Sequence, residues 1–210
     1  MNSAVIIDYG LGNVRSVANA LNAMDVKAEL SNYPSTILQA PGIILPGVGT
    51  FSHGMKQLQE FGLVDVIQEF ADTGKPVLGI CLGMQLLFTS GDEGTAANGI
   101  GLIDGRVVSM KALNSDISRL PHVGWNKLLR PIQASWDDAI LHDINEGEEM
   151  YFVHSYQVIP ANSANTIAEA EYEGHRFSAL IRNKNVYGCQ FHPEKSGAKG
   201  LKMIKNFLEL

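Results

Sequence analysis

Three short apolar runs, each followed at once by a glycine-containing turn, are the feature that most constrains the fold of this chain. They span residues 4–8, 42–45 and 76–80. Continuous apolar runs of this length are typical of strands that are buried on both faces of a parallel sheet. Apolar residues recur at helical spacing over residues 14–24 and 58–73, between these runs. Such alternation of strands and helices predicts a parallel α/β sheet.

The first half also carries a predicted strand at residues 26–30 and the start of a predicted helix at 84–89. From about Gly101 the pattern changes to closely spaced strands, and an amphipathic helix closes the chain at 197–210. The predicted strands of this half cover residues 102–110, 127–130, 149–154, 166–172, 177–182 and 186–191. We therefore expect an α/β fold with an open, twisted, mostly parallel sheet flanked by helices, a flavodoxin-like core and a β-rich second half. Because no composition break marks a linker, residues 1–210 are expected to form a single domain.

Composition and charge narrow the classes of function. The chain has 210 residues, a formal net charge of −6 and no basic block, so we expect no nucleic-acid partner. No apolar run approaches the roughly 18 residues of a membrane span, and the N-terminus lacks the features of a signal peptide. The two cysteines form no metal-binding motif. We therefore expect a cytoplasmic protein with reduced thiols that does not bind a membrane, a metal or a cofactor.

Cys81 lies between Gly79 and Gly83, directly after a predicted strand and before a predicted helix. A nucleophile in this sequence pattern is typical of the nucleophile elbow, in which small neighbours permit a tight strand-to-helix turn. The helix N-terminus stabilises the thiolate, and the backbone N–H of Leu82 can stabilise an oxyanion. The motif alone leaves open the alternative that Cys81 is a core cysteine in a glycine-containing turn.

A candidate base for this thiol is His192, which follows the predicted strand at 186–191. Pro193 ends that strand, and Glu194 is placed to hold the imidazole in one tautomer. The carboxyl ends of neighbouring strands are where ligands collect in an open α/β sheet, and Cys81 also follows a strand. Cys189 is interpreted as core packing, and the other five histidines as structural or exposed.

Several motifs carry a resemblance to a known family. GICLGMQ at 79–85, HPE at 192–194 and PGVG at 46–49 resemble those of the class I (triad) glutamine amidotransferases. A narrower resemblance, to the glutaminase subunits of the imidazole glycerol phosphate synthases of histidine biosynthesis, runs from residue 4 to residue 208. Its motifs are DYGLGN at 8–13, PHVGWN at 121–126, YFVHSY at 151–156 and HPEKS at 192–196. The resemblance implies the class I amidotransferase fold.

It also implies roles for individual residues. Cys81 would attack the side-chain amide of glutamine, His192 would transfer protons, and Glu194 would orient His192. The implied oxyanion-hole residues are Gly47, Val48, Gly49 and Leu82. The implied contacts to substrate glutamine are Gln85 and Glu93, although the stretch at 89–94 departs from the family's usual acidic run.

The chain holds no site for an ammonia acceptor, such as a phosphate-binding loop. Ammonia that escapes into water at pH 7 is mostly protonated and is then a poor nucleophile. The resemblance implies a heterodimer with a (β/α)8-barrel cyclase subunit that receives ammonia through a protected channel. The candidate residues for this interface are Asn13, Arg15, Trp125, Tyr151 and Lys195. A core position for Trp125 and Tyr151 is the alternative.

Three other functions stay open on the sequence alone. A related amidotransferase subunit could feed ammonia to a synthase of sugars for a surface polysaccharide. A regulatory subunit without catalysis could keep the same fold, although the intact Cys81, His192 and Glu194 argue against it. A stand-alone cysteine hydrolase would share the elbow and the base.

Overall fold

The computed structural model describes residues 3–131 and 136–210. Within these ranges the strands are β1 (Ser3–Ile7), β2 (Lys27–Ser31), β3 (Ile43–Gly47), β4 (Val77–Cys81), β5 (Phe88–Gly91), β6 (Ala97–Asn98), β7 (Ile103–Ser109), β8 (His122–Lys127), β9 (Glu149–His154), β10 (Tyr156–Pro160), β11 (Thr166–Tyr172), β12 (His175–Asn183) and β13 (Val186–Cys189). The α-helices are α1 (Val14–Asn22), α2 (Pro34–Gln39), α3 (Phe51–Glu60), α4 (Leu63–Asp72), α5 (Leu82–Leu86), α6 (Met110–Leu113) and α7 (Gly197–Leu208). Short 3-10 turns cover Ala139–Leu141, Ser163–Asn165 and Pro193–Lys195.

The large sheet positions the candidate site. Its strand order is β11-β12-β13-β4-β3-β1-β2. Pairing is parallel from β13 to β2, whereas β12 pairs antiparallel with both β11 and β13. The carboxyl ends of β13, β4, β3 and β1 therefore meet at one edge of the sheet. The segments that follow these strand ends contain His192, Leu82, Val48 and Asn13. The predicted fold class, an open and mostly parallel sheet flanked by helices, is confirmed.

Residue alternation along the parallel strands builds a core on each face of the large sheet. Odd and even positions point to opposite faces, which explains why the strands are apolar throughout. One face packs α1 and α7 against the sheet and includes Ile6, Ile44, Val17, Leu21 and Phe207. The other face packs α3 and α4 and includes Val5, Ile43, Leu58, Ile67 and Phe70.

The single helix predicted over residues 58–73 is wrong, because two helices cover that region. Gly62 separates α3 from α4 and has φ of 65°, in the left-handed region that glycine adopts without strain. The apolar spacing resumes after this turn, so periodicity alone did not show the break.

Two further predicted boundaries are wrong. No strand covers the expected range 127–130. The observed strand β8 ends at Lys127, because its pairing with β9 sets its extent, and Leu129 forms an isolated bridge to Glu169. The helix expected at 84–89 ends at Leu86, because Phe88 begins β5 and pairs with Ile103 in a smaller sheet of order β10-β7-β5-β6. No helix within the described ranges is long and apolar enough to cross a membrane.

Candidate active site

Cys81 is the last residue of β4 and immediately precedes α5, at the carboxyl edge of the large sheet. Its φ of 55° and ψ of −112° are unusual for a residue with a side chain and store backbone strain. A Cβ on Gly79 would lie 2.6 Å from the backbone nitrogen of Met84, and a Cβ on Gly83 would overlap the carbonyl oxygen of Leu45. The two glycines therefore permit the close approach that this turn requires.

His192 and Glu194 form a buried pair at the neighbouring strand end. Nδ1 of His192 lies 2.9 Å from Oε1 of Glu194, and their side chains are 2% and 0% exposed. The backbone N–H of His192 donates to the carbonyl of Tyr151, and the Ser196 hydroxyl donates to the backbone carbonyl of His192. The backbone and the ring of His192 are both held, and its Nε2 has no hydrogen-bond partner within the described residues.

The charge of His192 depends on its neighbours. Burial alone would lower the pKa of His192, but its interactions with Cys81 and Glu194 raise that pKa to about 9. The imidazole is therefore largely protonated at neutral pH beside the Cys81 sulphur. An imidazolium in this position can give a proton to a leaving group at that sulphur.

Two polar groups lie next to the Cys81 sulphur. The thiol lies 3.8 Å from the carbonyl oxygen of Val153, and Nε2 of Gln190 lies 3.8 Å from Sγ. Gln190 is a contact that the sequence analysis missed. It lies on β13's continuation toward His192, and only the pairing of β13 with β4 brings it beside Cys81.

The predicted oxyanion-hole segment lies beside the nucleophile. Gly47 is the register partner of Cys81 across β3 and β4, and a Cβ on Gly47 would lie 2.8 Å from Cβ of Leu82. Val48 is 44% exposed, and Gly49 has φ of 109°, which favours glycine. The structure thus brings Gly47, Val48, Gly49 and Leu82 to the same strand edge as Cys81.

The buried hydroxyl of Tyr9 contacts the residue at the start of this segment. It donates to the carbonyl of Pro46 over 2.9 Å. Burial, followed by the charge of Cys81, raises the pKa of Tyr9 well above its usual range, so the phenol stays protonated. This hydrogen bond fixes the position of the Pro46 carbonyl at the start of the segment.

The two predicted contacts to glutamine have protein partners in this structure. Gln85 is buried, and its Nε2 donates to Oε1 of Gln190 over 3.0 Å and to the carbonyl of Tyr156 over 3.3 Å. Oε2 of Glu93 accepts from the N–H of Phe51 at the start of α3, and burial raises the pKa of this carboxyl. A role for Gln85 and Glu93 in binding glutamine stays a prediction.

The residues predicted for a partner interface lie around this edge. Trp125 and Tyr151 are register partners on β8 and β9, with ring centroids 6.0 Å apart, and Nζ of Lys195 lies 5.9 Å from the Tyr151 ring centroid. Trp125 is 51% exposed, so the alternative of a core position is wrong for it, whereas Tyr151 is half-buried. Asn13 and Arg15 lie at the start of α1, which packs against the 3-10 turn that carries Lys195.

The family model of class-I glutamine amidotransferases matches residues 5–210. The imidazole glycerol phosphate synthase subunit HisH of Methanosarcina acetivorans is 48% identical, and subunit HisH 1 of Legionella pneumophila (strain Lens) is 42% identical; each match covers 100% of both chains. The subunit HisH of Moorella thermoacetica is 44% identical over 100% of this chain and 96% of that protein.

Solved structures agree on the fold. A crystal structure of a glutamine amidotransferase superposes with a TM-score of 0.71 at 16% identity, covering 98% of this chain and 97% of that chain. The structure of PurLQS from Thermotoga maritima gives 0.69 at 21% identity, covering 99% and 97%. The chain belongs to the class-I glutamine amidotransferase family, and within it to the family of the imidazole glycerol phosphate synthase subunit HisH.

Proposed function

We propose that this chain is the glutaminase subunit of an imidazole glycerol phosphate synthase, with Cys81, His192 and Glu194 as its catalytic residues. The observation that carries the proposal is the buried His192–Glu194 pair beside the strained Cys81 turn. The full-length relatives favour histidine biosynthesis over a sugar pathway, because their names specify this synthase. The intact constellation also disfavours a catalytically silent subunit.

The proposed reaction begins at the Cys81 sulphur. The thiolate attacks the side-chain carbonyl carbon of glutamine, and the His192 imidazolium gives its Nε2 proton to the amide nitrogen, which leaves as ammonia. A γ-glutamyl thioester remains on Cys81. Water then gives a proton to Nε2 of His192 while its oxygen attacks the thioester carbonyl. Glutamate leaves as the thiolate forms again, and the carboxyl proton passes to solvent.

Backbone donors would stabilise the negative oxygen of each tetrahedral intermediate. One donor is the N–H of Leu82, the first residue of α5. The other belongs to the segment Gly47–Gly49, whose Gly47 pairs with Cys81 between β3 and β4. Loss of one such donor costs about 3–4 kcal/mol of transition-state stabilisation in other enzymes. The glycines around Val48 permit this peptide to turn its N–H toward the substrate oxygen.

The ammonia needs a protected route to its acceptor, because protonation in water would remove its lone pair. The proposed partner is a (β/α)8-barrel cyclase subunit that binds at the carboxyl edge of the large sheet. The exposed Trp125 and the Lys195–Tyr151 contact offer aromatic and cationic groups, which are common anchors of protein interfaces.

Release of glutamate from glutamine tests this proposal. The purified chain is assayed alone and with the cyclase subunit and its nucleotide ligand, with Cys81→Ala as the inactive variant. The matched control is Cys189→Ala, which removes the other buried thiol. We expect strong stimulation by the partner that is lost only in Cys81→Ala. Activity that ignores the cyclase, or equal loss in both variants, would contradict the proposal.

A further inference from the structure

Two buried histidines beside the site have no role in the reaction described above. His122 on β8 and His154 on β9 are register partners, and each ring is almost fully buried. Nδ1 of His122 lies 3.0 Å from Nε2 of His154. His122 lies in the motif PHVGWN and His154 in the motif YFVHSY.

The hydrogen bonds of this pair fix one tautomer for each ring. The carbonyl of Tyr156 can only accept, so Nδ1 of His154, 2.8 Å away, carries a proton. Nε2 of a neutral His154 then accepts from Nδ1 of His122. Nε2 of His122 in turn accepts from the side-chain amide of Asn126 over 2.8 Å. Every polar atom of both rings is satisfied only when both rings are neutral.

The surroundings of the pair favour the neutral state. His122 stacks on Phe152 and Tyr172, with ring centroids 5.2 and 4.2 Å away. Burial lowers the pKa of His122 to about 4, and that of His154 to about 3 with a smaller lowering contribution from the charges of His122 and His192. A fixed proton arrangement therefore persists through the neutral pH range.

The same carbonyl connects the histidine pair to the nucleophile. Tyr156 O also accepts one N–H of Gln85, whose other N–H donates to Oε1 of Gln190. This arrangement leaves the amide nitrogen of Gln190 facing Sγ of Cys81 at 3.8 Å. A continuous hydrogen-bonded chain thus runs from Asn126, next to the exposed Trp125, to the reacting sulphur.

We propose that His122 and His154 are positioning residues that hold the Tyr156 carbonyl and thereby aim the amide of Gln190 at the Cys81 thiolate. The inference deepens the proposed function and rests on it. An N–H aimed at sulphur stabilises the charged nucleophile, whereas a reversed amide would present an oxygen and repel it. Because the Tyr156 carbonyl can only accept, its position fixes where the Gln85 amide nitrogen lies, and the bond from Gln85 to Oε1 of Gln190 leaves the amide nitrogen of Gln190 facing Cys81.

Two substitutions at one position separate positioning from packing. Asn places an amide nitrogen where imidazole has Nδ1, so His154→Asn keeps a donor to Tyr156 but leaves a cavity. Gln reaches the position of Nε2, so His154→Gln fills more space but loses that donor. The same pair at His122 repeats the test, because His122→Asn keeps the donor toward His154. His175→Asn is the control, since His175 contacts Gln157, which is not part of this series of hydrogen bonds.

The readouts are alkylation of Cys81 by iodoacetamide, mapped separately from Cys189, glutamate release by the complex with the cyclase, and thermal stability. Misplaced catalytic groups cost about 10²-fold in rate, so we expect His154→Gln to slow both reactions about 10- to 100-fold. His154→Asn is expected to stay within about threefold of the parent rate, an energy difference below about 0.7 kcal/mol.

Equal losses in the two variants, or losses that follow thermal stability, would overturn the inference. Should a variant at His154 fail to fold, the pair at His122 decides. The alkylation assay needs neither partner nor glutamine. If the complex releases no glutamate while alkylation keeps the expected order, the proposed function fails and the positioning role stands.

Discussion

Nδ1 of His192 donates to Oε1 of Glu194 over 2.9 Å, in surroundings where neither side chain reaches solvent. This bond leaves Nε2 as the nitrogen that faces a reacting group, because a ring held through Nδ1–H has one orientation. The Glu194 carboxylate also contributes to the raised pKa of His192. Orientation and proton affinity of the proposed acid–base group thus depend on one carboxylate.

Glu194→Gln is expected to lower both the rate and the upper pH limit of the reaction. His192 is protonated below its pKa of about 9, so the step that protonates the leaving nitrogen is lost as pH rises through that value. Without the carboxylate charge this pKa falls, and the alkaline limb of kcat/KM moves to lower pH. We expect kcat to fall about 10²- to 10⁴-fold, the usual contribution of acid–base catalysis.

The measurement is glutamate release between pH 6 and pH 10, with the partner present. Glu146→Gln is the matched control, because it removes the same charge from an exposed salt bridge with Arg130. The amino group of glutamine titrates in the same range, but its pKa does not change with the variant. An alkaline limb that stays in place in Glu194→Gln would rule out the proposed coupling.

The strand ends at the site were predictable because local sequence specifies them. Gly79 and Gly83 flank Cys81, and Pro193 follows His192, so the turns could be placed without tertiary information. Gln190 could not be found in this way. Its amide reaches Cys81 only because β13 pairs with β4, a contact between segments 109 residues apart.

The misplaced elements have two different causes. Periodicity continues across Gly62, and only its positive φ shows that α3 and α4 are separate helices. The strand β8 was missed because its exposed Val123 and Trp125 give no buried pattern, and its pairing with β9 is not visible in local sequence. A local backbone conformation decides the first case, and a pairing between strands distant in sequence decides the second.

Acid is expected to destabilise the protein through the buried histidine pair. In the folded state His122 and His154 have pKa values of about 4 and 3, whereas unfolded histidine titrates near 6.5. The unfolded state therefore binds protons as pH falls below about 6.5 while the folded state does not, and the free energy of unfolding decreases. Each group contributes up to about 1.4 kcal/mol per pH unit in this window.

Urea unfolding at pH 7 and pH 5 measures this loss. His154 faces His122 and His192, and His122 faces Asn126 and Tyr172. The substitution His154→Asn removes one of the two histidines whose pKa is lowered. The variant is expected to lose less stability between the two pH values than the parent protein. An identical loss would show that other groups dominate the acid sensitivity.

Gly83→Ala is expected to destabilise the fold because the new methyl group would overlap the carbonyl oxygen of Leu45. Two backbone segments would have to separate, so we expect a loss of about 3 kcal/mol or more in the free energy of unfolding. Gly174→Ala is the control, since its site is open and only its φ of 74° opposes a side chain. That strain costs about 1–2 kcal/mol. Equal losses by chemical unfolding would contradict the close-approach argument.

Trp125→Ala is expected to weaken binding of the cyclase subunit without harming the fold. Trp125 is 51% exposed and contacts Tyr151 edge-on, so removal of its indole leaves no buried cavity. Aromatic anchors at the centre of an interface contribute about 2 kcal/mol or more, so we expect Kd to rise about 30-fold or more. Phe61→Ala is the control, because Phe61 is 42% exposed at the far end of α3, away from the carboxyl edge. Titration calorimetry gives both affinities, and equal effects of the two substitutions would place the partner on another surface.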